Sequence, residues 1–204
     1  MLKLLSKLFN RDLTIPSEPI ETNVSDDEIW KILHPTSSEE IKRRKKSLQL
    51  FVQFCTSHLS KTESQRLCRI AKRALDDYDD SFSALHEVMS GEDGQKRGRW
   101  VFIQFDWKTR DEIAWQVSEV LAARGTSERW ERDCLADFRS VPEALIDLSE
   151  WLLKRNMAIL HFETNSDFYC SIVINSSDIE TARKLAVDAE LVLYDHTEFA
   201  ERNA

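Results

Sequence analysis

The sequence predicts an α+β fold, and three observations carry that prediction. Trp100 to Lys108 alternates at period two, with Val101, Ile103, Phe105 and Trp107 on one side and Trp100, Phe102, Gln104 and Asp106 on the other. Met157 to Thr164 and Phe168 to Asn175 are β-rich runs joined by Asn165, Ser166 and Asp167, a connection of hairpin length. Most of the remaining chain shows apolar residues at helical spacing behind N-cap signals. With 204 residues, 42% of them hydrophobic, the chain can bury a sizeable core.

The elements follow in order. Leu2, Leu4, Leu5, Leu8 and Phe9 share one arc of a helical wheel opposite Lys3, Ser6, Lys7 and Asn10. This predicts a short amphipathic helix, docked on its own domain or free to contact a partner or a membrane surface. Pro16 and Pro19 mark a linker, so residues 1–24 read as an arm and linker. Ser25, Asp26, Asp27 and Glu28 form a capping box for a helix to about Leu33, ended by Pro35. Ser37 or Ser38 caps a longer helix to Leu59, solvated over its basic first half and core-forming from Leu48 onward. A third helix, about Thr62 to Leu75, buries Leu67, Ile70, Ala71 and Ala74 and completes a helical hairpin. Asp76, Asp77, Asp79 and Asp80 follow as a solvated corner facing the basic helix; the ligand spacing and glycine of an EF-hand loop are absent. Ser81 or Ser83 opens a short helix, and residues 25–90 together form an N-terminal helical subdomain.

The polar loop from Gly91 to Gly98 leads into a sheet domain spanning residues 99–199. After the first strand, Thr109 to Glu112 reads as a capping box for a helix to Arg124, stopped by Gly125. Thr126 to Arg139 is irregular, with one helical turn between Asp133 and Phe138. Ser140 caps a helix to Arg155 with Pro142 in its first turn, Ser177 caps another to about Glu190, and Leu191 to Asp195 is the last strand. Strand, helices, strand, strand, helix, strand is the ferredoxin-like βα(α)ββαβ plan: one antiparallel sheet with helices on one face.

Charge is unevenly spread. The net charge is −8, yet Ile41 to Leu75 holds ten Lys/Arg against the single acid Glu63, while Asp76 to Ala204 holds 14 basic and 27 acidic residues. The overall balance argues against an indiscriminate nucleic-acid binder. The basic helices either dock on the chain's own acidic part or offer a phosphate stripe through Lys42, Arg43, Arg44, Lys45 and Lys46 with Arg66, Arg69 and Arg73. Cys55, Cys68, Cys134 and Cys170 have no paired spacing and read as buried small hydrophobes, so no metal and no cofactor is expected. No transmembrane run and no signal-peptide pattern is found, which predicts a reducing, cytoplasmic setting.

If Val101, Ile103 and Phe105 pack under the helices with Ala158, Leu160, Cys170 and Ile172, the opposite face collects Phe102, Asp106, His161, Glu163, Tyr169, Tyr194 and His196. With Lys108 at the strand end, this polar set is the candidate ligand site. A hydrolytic role for it requires Asp106 or Glu163 to raise the pKa of a neighbouring histidine. The alternative is that N-terminal helices lie over that face and satisfy its polar atoms. No nucleophile–base pair or glycine-rich phosphate loop is present, so no catalytic residues are assigned and an enzyme is not the first expectation.

The strand order resembles the RNA-recognition fold, in which Phe102 and Tyr169 would occupy the base-stacking places, although that family's glycine-and-aromatic signature is absent. Phe105, Asp106, Trp107 and Lys108, a strand end before a capped helix, resemble small acidic bacterial proteins of unknown function, among which toxin-neutralising immunity proteins are common. That resemblance covers about Trp100 to Phe199 and transfers no residue roles. The acidic segment from Asp76 to Ala204, without a catalytic signature, predicts a non-enzymatic protein-interaction module that masks a basic partner surface, and the resemblance adds an immunity- or antitoxin-type role as one form of it. Nucleic-acid binding by the basic segment 42–73 and a small-ligand or hydrolytic site on the polar sheet face are the alternatives.

Overall fold

In a computed structural model of the protein the described residues are 38–109, 111–130, 138 and 140–203. The amphipathic arm, the linker, the Ser25 capping box, Cys134 and nearly all of the expected turn at 133–138 lie outside them. Helices α1 (Ser38–Cys55) and α2 (Lys61–Ala74) pack together across a short turn. Ser60 caps α2 by accepting from Glu63 N at 3.3 Å. The acidic run has structural work: Asp76 pairs with Lys45, and Asp80 caps α3 (Ser81–Ser90) by accepting from Ser83 N at 2.8 Å. Next come β1 (Phe102–Asp106), α4 (Glu112–Ala123), α5 (Val141–Leu153), β2 (Met157–Phe162) and β3 (Phe168–Asn175). A 3-10 turn at Ser176–Asp178, α6 (Ile179–Asp188), β4 (Leu193–Tyr194) and α7 (His196–Arg202) complete the chain. Ser140 caps α5 as expected, whereas Thr109 turns its hydroxyl back to Asp106 O at 3.1 Å and leaves α4 without a side-chain cap.

The four strands make one antiparallel sheet in the order β1-β3-β2-β4. As in a split β-α-β unit, β1 and β2 flank β3. The ferredoxin-like plan would place the last strand beside the first; here β4 pairs with β2, through His161 with Tyr194 and Phe162 with Leu193. The cause is a long-range one: α6 packs on α1, far from it in the chain, and Glu190, at φ 59°, turns the chain back towards the free edge of β2.

Helices cover both faces of the sheet rather than one. Phe102, Ala158, Leu160, Phe162, Cys170 and Ile172 share a core with α1, α2, α3 and α6. Ile103, Phe105, Ile159 and Val173 share a second core with α4, α5 and α7. The register of Phe102 with Ile172 and of Gln104 with Cys170 therefore puts β1 one residue out of phase with the face assignment made from its sequence. The physical reason is that a strand buried on both sides is apolar on both sides, so alternation shows the strand but not which side meets which helices.

As an edge strand, β1 has outward backbone groups that no neighbouring strand can pair. Two glutamines act in place of one. Gln95 accepts from the N–H groups of Val101 and Phe102, each at 3.0 Å, and donates to Phe102 O at 2.9 Å. Gln116, buried on α4, accepts from Gln104 N at 2.9 Å and donates to Gln104 O at 2.6 Å. Buried backbone polar groups left without partners are costly, and an open edge invites pairing with another chain. Gln116→Leu is therefore expected to destabilise the protein by about 2–3 kcal/mol in urea denaturation and, together with Gln95→Leu, to make it self-associate in sedimentation velocity.

Candidate functional site

The sheet ends in a recess of about 420 Å³ beside the β2–β3 hairpin. The hairpin turns at Asn165, whose φ of 50° suits an asparagine, and Thr164 braces it by donating to Phe168 O at 2.8 Å. Trp107, just past β1, continues the ladder by donating its backbone N–H to Asp167 O at 3.2 Å. On the opposite side α7 starts with a full capping box, in which Asp195 accepts from Glu198 N and Glu198 accepts from Asp195 N. That start sets Phe199 and Arg202 against the sheet end, where both line the recess with Trp107, Glu163, Tyr169 and Tyr194.

The recess is an aromatic and carboxylate surface. Tyr194 donates its hydroxyl to Glu163, and Arg202 lies 3.3 Å from the same carboxylate with its guanidinium carbon 3.9 Å from the Tyr194 ring centre. Burial, followed by Glu163, pushes the Tyr194 phenol up, and burial followed by Asp167 does the same to Tyr169, so both rings stay neutral. Trp107 is 52% exposed, and Lys108 Nζ stands 4.5 Å over its ring. Electron-rich ring faces beside the carboxylates of Glu163 and Asp167 favour a cation, and two cations of the chain itself already lie on two of the rings.

The structure brings together Glu163, Tyr169 and Tyr194 from the polar set expected on the sheet, with Lys108 at the rim through Trp107. Asp106 is elsewhere: it lies on the opposite face, separated from β2 by β3, and accepts from Lys108 N at 2.9 Å. His161 is sealed in the floor, 1% exposed, with Nδ1 2.8 Å from Ser171 Oγ and its ring 3.8 Å from that of Phe199. At His161 the shift runs opposite to the carboxylate-raised pKa that a hydrolytic role requires. Burial first, then His196, lowers His161 to about 3. His196 sits at the start of α7 with Nδ1 buried. Asp167, Phe199 and Arg202 also line the recess but are not among the expected site residues, and Trp107 enters the sequence reading through the alternation of β1 and the Phe105–Lys108 strand end, not as a site residue. Asp195 and Glu198, a cap residue and an acid three positions on, were the legible sign of α7.

The basic segment is largely committed to the protein's own acids. Lys42 pairs with Glu39 at 2.8 Å, Arg43 and Arg44 with Glu190 at 3.4 and 2.9 Å, and Lys45 with Asp76. Arg66 forms a two-pronged pair with the buried Glu63 carboxylate at 2.6 and 2.9 Å, and Arg73 lies 3.8 Å from Asp93. No ion pair holds Lys46 or Arg69 among the described residues; Arg69 contacts Gln65 O. No helix of the described residues is long and apolar enough to cross a membrane.

Because His161 is held neutral, acid should unfold the protein through it. An unfolded chain takes up this proton near pH 6.5, whereas the folded protein refuses it down to about pH 3. The associated stability is complete above pH 6.5 and is lost as pH falls towards 3, by about 2 kcal/mol between pH 7 and pH 5. His58, lowered to about 4 by burial and Arg124, acts with the same sign, so the difference between proteins isolates His161. Urea denaturation of wild type and His161→Phe across pH 5–7 should show a variant whose stability falls less by about that amount.

Comparison with known proteins adds a family but no activity. No curated protein and no solved structure matches the chain. A family model described as "Domain of unknown function (DUF6630)" matches residues 27–196, most of the chain and nearly all of the fold described above, and the protein belongs to that family.

Proposed function

We propose that the protein is a non-enzymatic, cytoplasmic protein-interaction module that receives a basic partner at the sheet-end recess. An immunity- or antitoxin-type role, in which an acidic domain masks a basic surface, is one form of this function. The observation that carries it is the seat of Arg202, a guanidinium stacked on Tyr194 and paired with Glu163 inside a recess that also presents Trp107, Tyr169 and Asp167. An arginine or lysine from another chain would meet the same ring faces and carboxylates. Arg202 is 56% exposed and its pair with Glu163 is open to solvent; such pairs contribute under about 1 kcal/mol, so exchange for a partner's cation costs little. Aromatic and arginine anchors dominate interface energetics, and the chain's net charge of −8 speeds the approach of a basic partner.

Fluorescence polarisation with labelled hexa-arginine is the direct measurement. Saturable binding that weakens as salt rises is expected, and Trp107→Ala or the pair Glu163→Gln with Asp167→Asn should weaken it about tenfold. Absence of binding at low salt, or binding that those variants leave unchanged, would exclude the recess as the docking site.

A further inference from the structure

A second recess, of about 600 Å³, lies between α1 and α2, and its chemistry is the reverse of the first. Ten lysines and arginines fall between Ile41 and Leu75. Six of them, Lys42, Arg43, Arg44, Lys45, Arg66 and Arg73, pair with carboxylates of the protein. Of the four with no such pair among the described residues, Lys61, Arg69 and Lys72 all line this one recess, and none of the described residues that line it is acidic. In a protein with 36 acids against 28 bases, three cations gathered with no carboxylate among the described lining residues form a setting suited to an anion.

We propose that this recess binds a small phosphorylated ligand of nucleotide size. Lys61, Gln65, Arg69 and Lys72 recur at intervals of four, four and three residues, which puts them on one face of α2 over about 16 Å. Gln49 and Gln53, four apart on α1, face them across the recess. Arginine and lysine give a phosphate charge-assisted hydrogen bonds, the three amides can meet hydroxyl or base groups of the same ligand, and Leu59 and Cys68 add apolar lining. The volume falls in the range of small-molecule sites, about 300–1,000 Å³. A nucleic-acid strand is a poorer fit, because Lys42 to Lys45, which would have to extend the stripe, stand beside the carboxylates of Glu39, Glu190 and Asp76, which repel further phosphates. The proposal does not rest on the basic-partner role of the other recess.

The test is calorimetric titration of the full chain with adenosine diphosphate, inorganic pyrophosphate, adenosine and a short oligothymidylate. Expected are saturable binding of adenosine diphosphate or pyrophosphate and none of adenosine. Arg69→Ala with Lys72→Ala should weaken that binding at least about tenfold, while Lys184→Ala, an exposed cation outside the recess, leaves it unchanged. All three substituted residues are exposed, so the variants should fold, and unchanged thermal unfolding verifies this. Three outcomes overturn the proposal: no saturable binding of either phosphate compound, equal weakening by Lys184→Ala, which would mean diffuse charge attraction, or binding of the oligothymidylate alone, which would mean a nucleic-acid surface.

Discussion

The edge position of β1 is the constraint on which much of this architecture rests. An edge strand keeps half of its backbone donors and acceptors pointing away from its one neighbour, and burial beneath a helix removes water as their partner. Gln95 and Gln116 meet that need with side-chain amides, each offering one donor and one acceptor in the geometry of a missing strand. Gln116 thereby fixes α4 along the edge, and Gln95 fixes the loop after α3 to the start of the strand. Once β1 is held in that phase, Phe102 must enter the core of α1–α3 and Ile103 that of α4 and α5. The chain then leaves the strand at Trp107, whose ring is delivered to the rim of the sheet-end recess.

Charge is arranged locally, so net values mislead about what the surface offers. The basic segment looks like a polyanion site when its residues are counted, but acids from distant parts of the chain neutralise it: Asp76 from the corner before α3, Asp93 from the following loop, Glu190 from the end of α6. The buried Glu63 does the same from within α2, holding Arg66 and lying 3.3 Å from Arg99; hydrogen bonding from Arg66 keeps its carboxyl below the usual carboxylate range. Glu163 and Asp167 stand among aromatic rings at one end of the sheet, and Lys61, Arg69 and Lys72 stand among glutamines between the first two helices.

How much of this was legible follows from which physical signals are local. The cap at Ser140 and the β2–β3 hairpin are written in a few adjacent residues and were legible, whereas the caps at Ser60 and Asp80 lie just ahead of the helix starts read at Thr62 and at Ser81 or Ser83. The phase of β1 was not legible, because Phe102 and Ile103 are equally apolar and both are completely buried. Strand order was not legible either; it depends on α6 packing against α1, a contact between segments far apart in the chain. Glu163, Tyr169 and Tyr194 could be grouped by counting alternate positions along β2, β3 and β4. Arg202 could not, since a helix as short as α7 announces itself only through the cap at Asp195 and Glu198.

In α7, fold and candidate function are built from the same residues but depend on them to different degrees. Phe199 is 5% exposed and lies flat on His161, so the helix is anchored by apolar contact against a histidine that burial keeps uncharged. Arg183 adds a second hold by bonding Asp195 at 2.9 Å and both carboxylate oxygens of Glu198 at 2.7 and 2.9 Å. Arg202, one turn beyond Phe199, shares none of these bonds. Among the described residues it bonds Glu163 and lies on the face of Tyr194, in solvent, where an ion pair adds little to stability. The helix therefore stays in place whether or not that pair is made, and the carboxylate and ring that Arg202 covers can pass to another cation without loosening the core beneath.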